Sequence, residues 1–279
     1  MWETLFEAAK ASKGIPVCQS CGELWMDIQV PDWQNPGQTK SKRVRKLCPC
    51  QESELVAAEQ AQKALNRWTN FNAAFKRVMP PKAYAGVMLA QVEEREGSKA
   101  GKAAATLYVE TWAARRANGQ GLILAGPWGT GKTLVASAIA NELDARHQTV
   151  IFLTVVDLQA RVRDFDSAKE FVRACHTVDL LVLDDFGIEK ATEWAVAELF
   201  GIIDARYRDK APIIITTNLG RQALTDHYVR CLTHGKDKMP QAQAELTINR
   251  ILSRLRERCA TVVFKGSDQR ENTTHDWLS

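Results

Sequence analysis

Four apolar runs punctuate the centre of the chain: Gly121-Leu-Ile-Leu-Ala125, Thr149-Val-Ile-Phe-Leu-Thr154, Asp179-Leu-Leu-Val-Leu183 and Pro212-Ile-Ile-Ile-Thr-Thr217. They are too continuous to alternate between a core and solvent, and they suit parallel strands buried on both faces. Between them, residues 134–143, 158–171 and 191–207 repeat apolar positions every three or four residues, as helices do. Alternating strands and helices predict an α/β fold, a central parallel sheet covered by helices on both faces. Ahead of the first strand, helices are predicted over residues 52–68 and 103–117. The prolines of Met79-Pro-Pro81 and a polar break at residues 97–101 forbid one continuous helix there.

The first strand leads into Gly126-Pro127-Trp128-Gly129-Thr130-Gly131-Lys132-Thr133, which fits G-x-x-x-x-G-K-[S/T]. Glycines allow dihedrals in which successive N–H groups face one anion, and Lys132 adds a positive charge. The helix that opens with Leu134 would point its positive dipole end at the same phosphates. Thr133 would hold Mg²⁺ through its hydroxyl, so residues 126–134 read as a triphosphate cradle. A strand end in Asp184-Asp185 places two carboxylates at the carboxyl edge of the sheet, where ligands of such folds bind. Asp184 is expected to share the Mg²⁺ with Thr133, and Asp185 to polarise an attacking water. Asn218, at the tip of the last run, would orient that water; its alternative is an ordinary turn residue.

Composition adds a second module. Cys18-Gln-Ser-Cys21 and Cys48-Pro-Cys50 supply four of the seven cysteines and match the four thiolates of structural Zn²⁺, with reduced thiols or a redox dithiol as alternatives. So small a unit would draw folding energy from the metal. Lys40-Ser-Lys-Arg-Val-Arg-Lys46, on a hairpin arm between the pairs, is either a solvated loop or a nucleic-acid contact. The net charge of +4 is mildly basic and suggests a nucleic-acid partner without requiring one. No apolar run is long enough to span a bilayer and the first residues lack signal-peptide order, so a cytoplasmic protein without membrane contact is expected. The resulting division is a zinc-binding partner module at 1–52, a linker helix at 53–76, the nucleotide domain at 77–266 and a tail at 267–279. Residues 221–243, which include His227, Cys231 and His234, read as a mobile insertion rather than a metal site.

Four segments together resemble the AAA+ ATPases, within them the group of DnaC- and DnaI-type helicase loaders and IstB-type transposition ATPases. They are Gly126 to Thr133, Leu181-Val-Leu-Asp-Asp-Phe-Gly187, Ile214-Ile-Thr-Thr-Asn-Leu219 and Asn249-Arg-Ile-Leu-Ser-Arg-Leu255. The resemblance runs from about residue 77 to 266. It implies a P-loop AAA+ three-layer fold, ATP with Mg²⁺, slow hydrolysis stimulated by assembly or DNA, and self-assembly into an ATP-bridged oligomer. It makes Arg254 the finger that reaches a neighbouring subunit's nucleotide, with Arg250 and Arg256 as alternatives nearby. It also implies single-stranded DNA contact by Thr154, Arg161, Arg163 and Lys169, for which a solvated mixed-charge helix is the alternative. The implied partner is a replicative hexameric helicase at an origin or phage replication site, or else a transposase on duplex DNA. About two dozen residues follow Leu255, which predicts a truncated lid.

Overall fold

The computed structural model of the chain describes residues 30–31, 39–40, 49–75, 78–95, 97–163, 168–189, 193–234 and 239–266. Two units are distinguished, residues 1–66 and 67–279. In the first, strands β1 (Val30–Pro31) and β2 (Thr39–Lys40) pair antiparallel, with Val30 opposite Lys40. Helix α1 (Pro49–Phe75) begins three residues before the predicted start, with proline at the first position, where its missing N–H costs nothing. Cys18, Cys21 and Cys48 lie outside the described residues, as does the side chain of Cys50.

The second unit contains α2 (Lys99–Glu110), α3 (Trp112–Asn118), β3 (Gly121–Ala125), α4 (Lys132–Ala145), β4 (Val150–Thr154), α5 (Val155–Arg163) and α6 (Ala168–Thr177). It continues with β5 (Leu180–Asp184), α7 (Glu193–Arg208), β6 (Ile213–Thr217), α8 (Arg221–Thr233), α9 (Gln241–Arg258) and β7 (Cys259–Val263). The five strands form one parallel sheet in the order β4-β5-β6-β3-β7.

Period-two alternation along each strand builds a core on each face. Val150, Phe152, Leu180, Val182 and Ile214 point to one side, where they meet Val135, Ile139 and Leu143 of α4 and Tyr108 and Val109 of α2. Ile151, Leu153, Leu181, Leu183, Ile213 and Ile215 point to the other, against α5 to α9. Both faces of β4, β5 and β6 are buried, which explains why these strands read as unbroken apolar runs. The predicted α/β three-layer fold is therefore present.

One buried charge ties the second face together. Arg206 of α7 is 1% exposed and donates to the carbonyls of Cys175 (2.7 Å), His176 (3.2 Å), Val178 (3.0 Å) and Pro212 (2.5 Å). It satisfies the last carbonyls of α6 and the backbone entering β5 and β6, groups that otherwise face no water. Burial lowers the Arg206 pKa to about 10.

Several expectations need correction. The helix expected over 103–117 is two, broken at Thr111, whose φ and ψ of −97° and 18° leave the helical well. The helix expected over 158–171 is also two, and α5 starts directly at the end of β4. Of residues 221–243, expected as a mobile insertion, Arg221–Thr233 is helix α8, with Leu224, Tyr228 and Leu232 buried at four-residue spacing, and 235–238 lie outside the described residues. That single apolar stripe is diluted by polar neighbours on the other faces. Finally, β7 follows α9 without a loop and closes the sheet edge beside β3, where no strand was predicted.

Candidate functional site

The glycine loop hangs between the carboxyl end of β3 and the first turn of α4. Gly126 (φ 151°), Gly129 (φ 68°) and Gly131 (φ 90°) all have positive φ. At Gly126 a Cβ would lie 2.3 Å from the carbonyl oxygen of Phe264, just past β7, so glycine is required by contact as well as by conformation. At Gly131 the left-handed dihedral turns the chain into α4, whose opening N–H groups at Lys132, Thr133 and Leu134 have no intrahelical acceptor. Thr130 Oγ1 donates to Pro127 O at 2.8 Å and Lys132 Nζ to the same oxygen at 2.5 Å. The loop is thus closed by its own side chains, with the ammonium held inside the ring of N–H groups that would meet an anion.

Opposite the loop, β5 delivers Asp184, which is 3% exposed. Its Oδ1 accepts from Thr133 Oγ1 at 3.1 Å and from Thr216 Oγ1 at 2.5 Å. Burial pushes the Asp184 carboxyl above its ordinary pKa and neighbouring Asp185 adds to this, while the hydroxyls of Thr216 and Thr133 and the charge of Lys132 oppose it. Cationic charge at this point would favour the ionised form. The threonine hydroxyl and the carboxylate share one hydrogen bond, as two ligands of one small hard cation do when waters and phosphate complete its shell. The donor set therefore fits Mg²⁺ with a nucleotide.

Asp185 is exposed, in a left-handed conformation (φ 57°), and its N–H is accepted by Thr216 Oγ1 at 3.0 Å. It lines a cavity of about 400 Å³, polar and apolar in near-equal measure, with Thr130 to Leu134, Asn218, and Tyr84, Gln91 and Val92 from the segment before α2. A second cavity, about 730 Å³ and mainly apolar, lies on the α8 and α9 side and shares Trp128 and Asn218 with the first. The smaller one has the chemistry for a triphosphate, since the loop, the helix start and the acidic strand end all open into it.

Thr216 went unread as a site residue although its hydroxyl joins the Asp184 carboxylate to the Asp185 backbone N–H. The only signal was its place beside Asn218, and its role depends on β6 lying next to β5. Tyr84, Gln91 and Val92 were missed for the same reason, since nothing in the local pattern brings them to the loop.

The remaining candidates lie away from this cavity. Arg254 extends from α9 toward α7, where it pairs with Asp204 and lies 5.3 Å from the Tyr207 ring centre. Leu252, Leu255 and Arg256 of the same helix face the apolar cavity instead, so Arg254 points away from its own chain's loop. Arg250 is exposed. Thr154 is occupied as the cap of α5, since its Oγ1 accepts the Asp157 N–H at 3.0 Å and donates to Asp157 Oδ2 at 2.8 Å. Arg161 lies over the Phe171 ring at 5.0 Å, Lys169 is exposed on α6, and the Arg163 side chain is not described. Cys231 Sγ and His227 Nε2 are 4.0 Å apart, and no cluster of three or more metal-ligating side chains occurs among the described residues. No described helix is long and apolar enough to cross a membrane.

A glycine loop on a helix start, facing an acidic strand end across a parallel sheet, defines a P-loop nucleotide-binding protein. The chain belongs to the family of IstB-like ATP binding proteins, whose sequence model matches residues 91–275. The replicative helicase loader DnaC of Escherichia coli strain K12 is 31% identical over 137 residues, 47% of this chain and 55% of that protein. The replicative helicase loader DnaI of Bacillus subtilis is 26% identical over 156 residues, 54% of this chain and 48% of that protein. YdaV of Escherichia coli strain K12, a protein without an assigned function, is 40% identical over 103 residues, 36% of this chain and 42% of that protein. The chain thus spans about half the length of these relatives. Crystal structures of the DnaC helicase loader (TM-score 0.53, 23% identity, 66% of this chain and 100% of that one) and of DnaI (0.54, 24%, 69% and 97%) share the fold. The resemblance to the loader and IstB group is borne out.

Proposed function

We propose that this chain is an ATP-hydrolysing assembly factor of DNA replication, which binds ATP and single-stranded DNA and delivers or remodels a replicative hexameric helicase. The observation that carries the reading is the Thr133–Asp184–Thr216 cluster facing the glycine loop. With a nucleotide bound, the loop N–H groups and Lys132 would hold the phosphates, and Thr133 and Asp184 would hold Mg²⁺. When bound, the ion neutralises charge on the phosphate oxygens. Asp185 accepts a proton from water, and Asn218 orients that water. Arg254, directed away from its own loop, supplies its charge to the nucleotide of a second copy, so assembly completes the site.

The likeness to DnaC and DnaI supports the helicase as partner, and the basic side chains of Arg161, Arg163 and Lys169 support a backbone contact to DNA. The family description favours one second reading, a transposition ATPase that binds duplex DNA and regulates a transposase. Turnover and binding with purified chain separate the two. Stimulation by single-stranded DNA and retention on a purified replicative helicase support the first, and stimulation by duplex DNA with retention on a transposase supports the second. Loss of neither turnover nor nucleotide binding in Lys132→Ala would remove both.

A further inference from the structure

The loop after β5 is fixed by a buried pair that the nucleotide site does not itself contain. Glu189 is 2% exposed and Tyr228 of α8 is fully buried. Tyr228 Oη donates to Glu189 Oε1 at 2.6 Å, and the Gly187 N–H donates to Glu189 Oε2 at 2.9 Å. Among the described residues Glu189 makes these two hydrogen bonds and no ion pair. A buried hydrogen-bonded acid costs more to bury than an apolar pair of the same volume. Burial, and next the Glu189 charge, raise the Tyr228 pKa well above its ordinary value, which keeps the hydroxyl a donor.

The pair sits where the catalytic carboxylate needs support. Asp185 has a left-handed backbone, which Asp adopts more readily than most non-glycine residues but which anchoring of the turn must still hold in one place. Three consecutive residues are pinned from outside. Asp185 is held by Thr216 Oγ1, Phe186 through its carbonyl by Thr217 Oγ1 at 2.8 Å, and Gly187 by Glu189. The first two anchors come from β6. The third comes through Tyr228 from α8, whose Leu224 closes the space above Gly187: a Cβ there would lie 2.4 Å from Leu224 Cδ2. The Phe186 and Tyr228 rings pack at a 55° tilt with their centres 5.2 Å apart over the same turn.

We propose that Glu189 and Tyr228 are positioning residues for ATP hydrolysis: their hydrogen bond locks the Asp185–Gly187 turn to α8, and so sets the carboxylate that polarises the attacking water. This rests on the reading of Asp185 given above. Neither residue touches the glycine loop, so nucleotide affinity and turnover separate when the pair is broken.

The test uses the full chain under conditions in which it turns over ATP with single-stranded DNA, with affinity for a fluorescent ATP analogue and melting temperature measured alongside. Tyr228→Phe deletes one oxygen and is expected to lower kcat about tenfold while the analogue's Kd stays within about twofold. Glu189→Gln keeps both contacts, since its amide oxygen accepts from Gly187 and its NH₂ donates to Tyr228 Oη; kcat is expected within about threefold of the unchanged chain. Phe200→Leu loosens the packing on the Tyr228 ring without touching the hydrogen bond, and is expected to lower the melting temperature while sparing kcat. Turnover that persists in Lys132→Ala would sink the nucleotide reading itself. Turnover abolished by Lys132→Ala but normal in Tyr228→Phe would overturn the positioning role. A Tyr228→Phe loss matched by Phe200→Leu at equal melting temperature would overturn it too, by making the pair merely structural.

Discussion

Replacing Thr216 by valine removes one hydroxyl and nearly preserves the side chain's shape. That hydroxyl donates to Asp184 at 2.5 Å and accepts from the Asp185 N–H at 3.0 Å, so one atom holds both carboxylate-bearing residues. A hydrogen bond to a charged group contributes about 1.5–3 kcal/mol, which at about 1.4 kcal/mol per decade is roughly tenfold to hundredfold in rate. Thr216→Val is therefore expected to lower kcat/KM for ATP with Mg²⁺ by that factor in a steady-state phosphate-release assay. The pH profile adds a second, independent readout. Burial already raises the Asp184 pKa and the Thr216 hydroxyl opposes the rise, so the variant's Asp184 moves further up. Because the ionised form holds the metal, the acid limb of kcat/KM shifts to higher pH. Stability runs the other way. With the folded pKa above the unfolded one, the folded state binds more protons between the two values, so stability is highest below the unfolded pKa and falls as pH rises to the folded one. The variant widens that window of loss. Unchanged kcat/KM with an unmoved acid limb would refute the assignment of Asp184 to the metal and of Thr216 to its support.

Two further outcomes are expected. Arg206→Met strips four buried carbonyls of their donor and should cost about 3–5 kcal/mol in urea unfolding, while a loss under about 1 kcal/mol would show that water or rearrangement replaces the guanidinium. Purified full chain should contain about one zinc by plasma mass spectrometry, lost on Cys18→Ser with Cys21→Ser, and metal-free protein of unchanged stability would reject the four-thiolate reading.

How legible the site was in the sequence depended on how local each part is. The glycine loop is contiguous, and its strand and helix flank it directly, so Gly126 to Thr133 could be placed without a fold. Asp184 and Asp185 could be read because an apolar run ends on them. Thr216 could not, since its hydroxyl matters only once β6 pairs with β5. The same holds for Glu189 and Tyr228, which are brought together by packing of α8 across 39 positions of chain. Helix α8 itself escaped because only Leu224, Tyr228 and Leu232 mark its inner face. Strand β7 escaped because an edge strand with Ala260 and Val263 exposed carries neither a buried run nor an alternation.

The proposed completion of each nucleotide site by Arg254 of a second copy has a direct test in mixtures of two variants. Lys132→Ala and Arg254→Ala should each be inactive alone in ATP turnover, the first through loss of its own phosphate cradle and the second through loss of charge at a neighbour's. Mixed in equal amounts, they should recover a substantial part of the unchanged chain's rate, because the Lys132→Ala copy lends its Arg254 to the intact loop of the other. A mixture that stays as inactive as its components would contradict the account, placing Arg254 either in its own chain's site or outside catalysis.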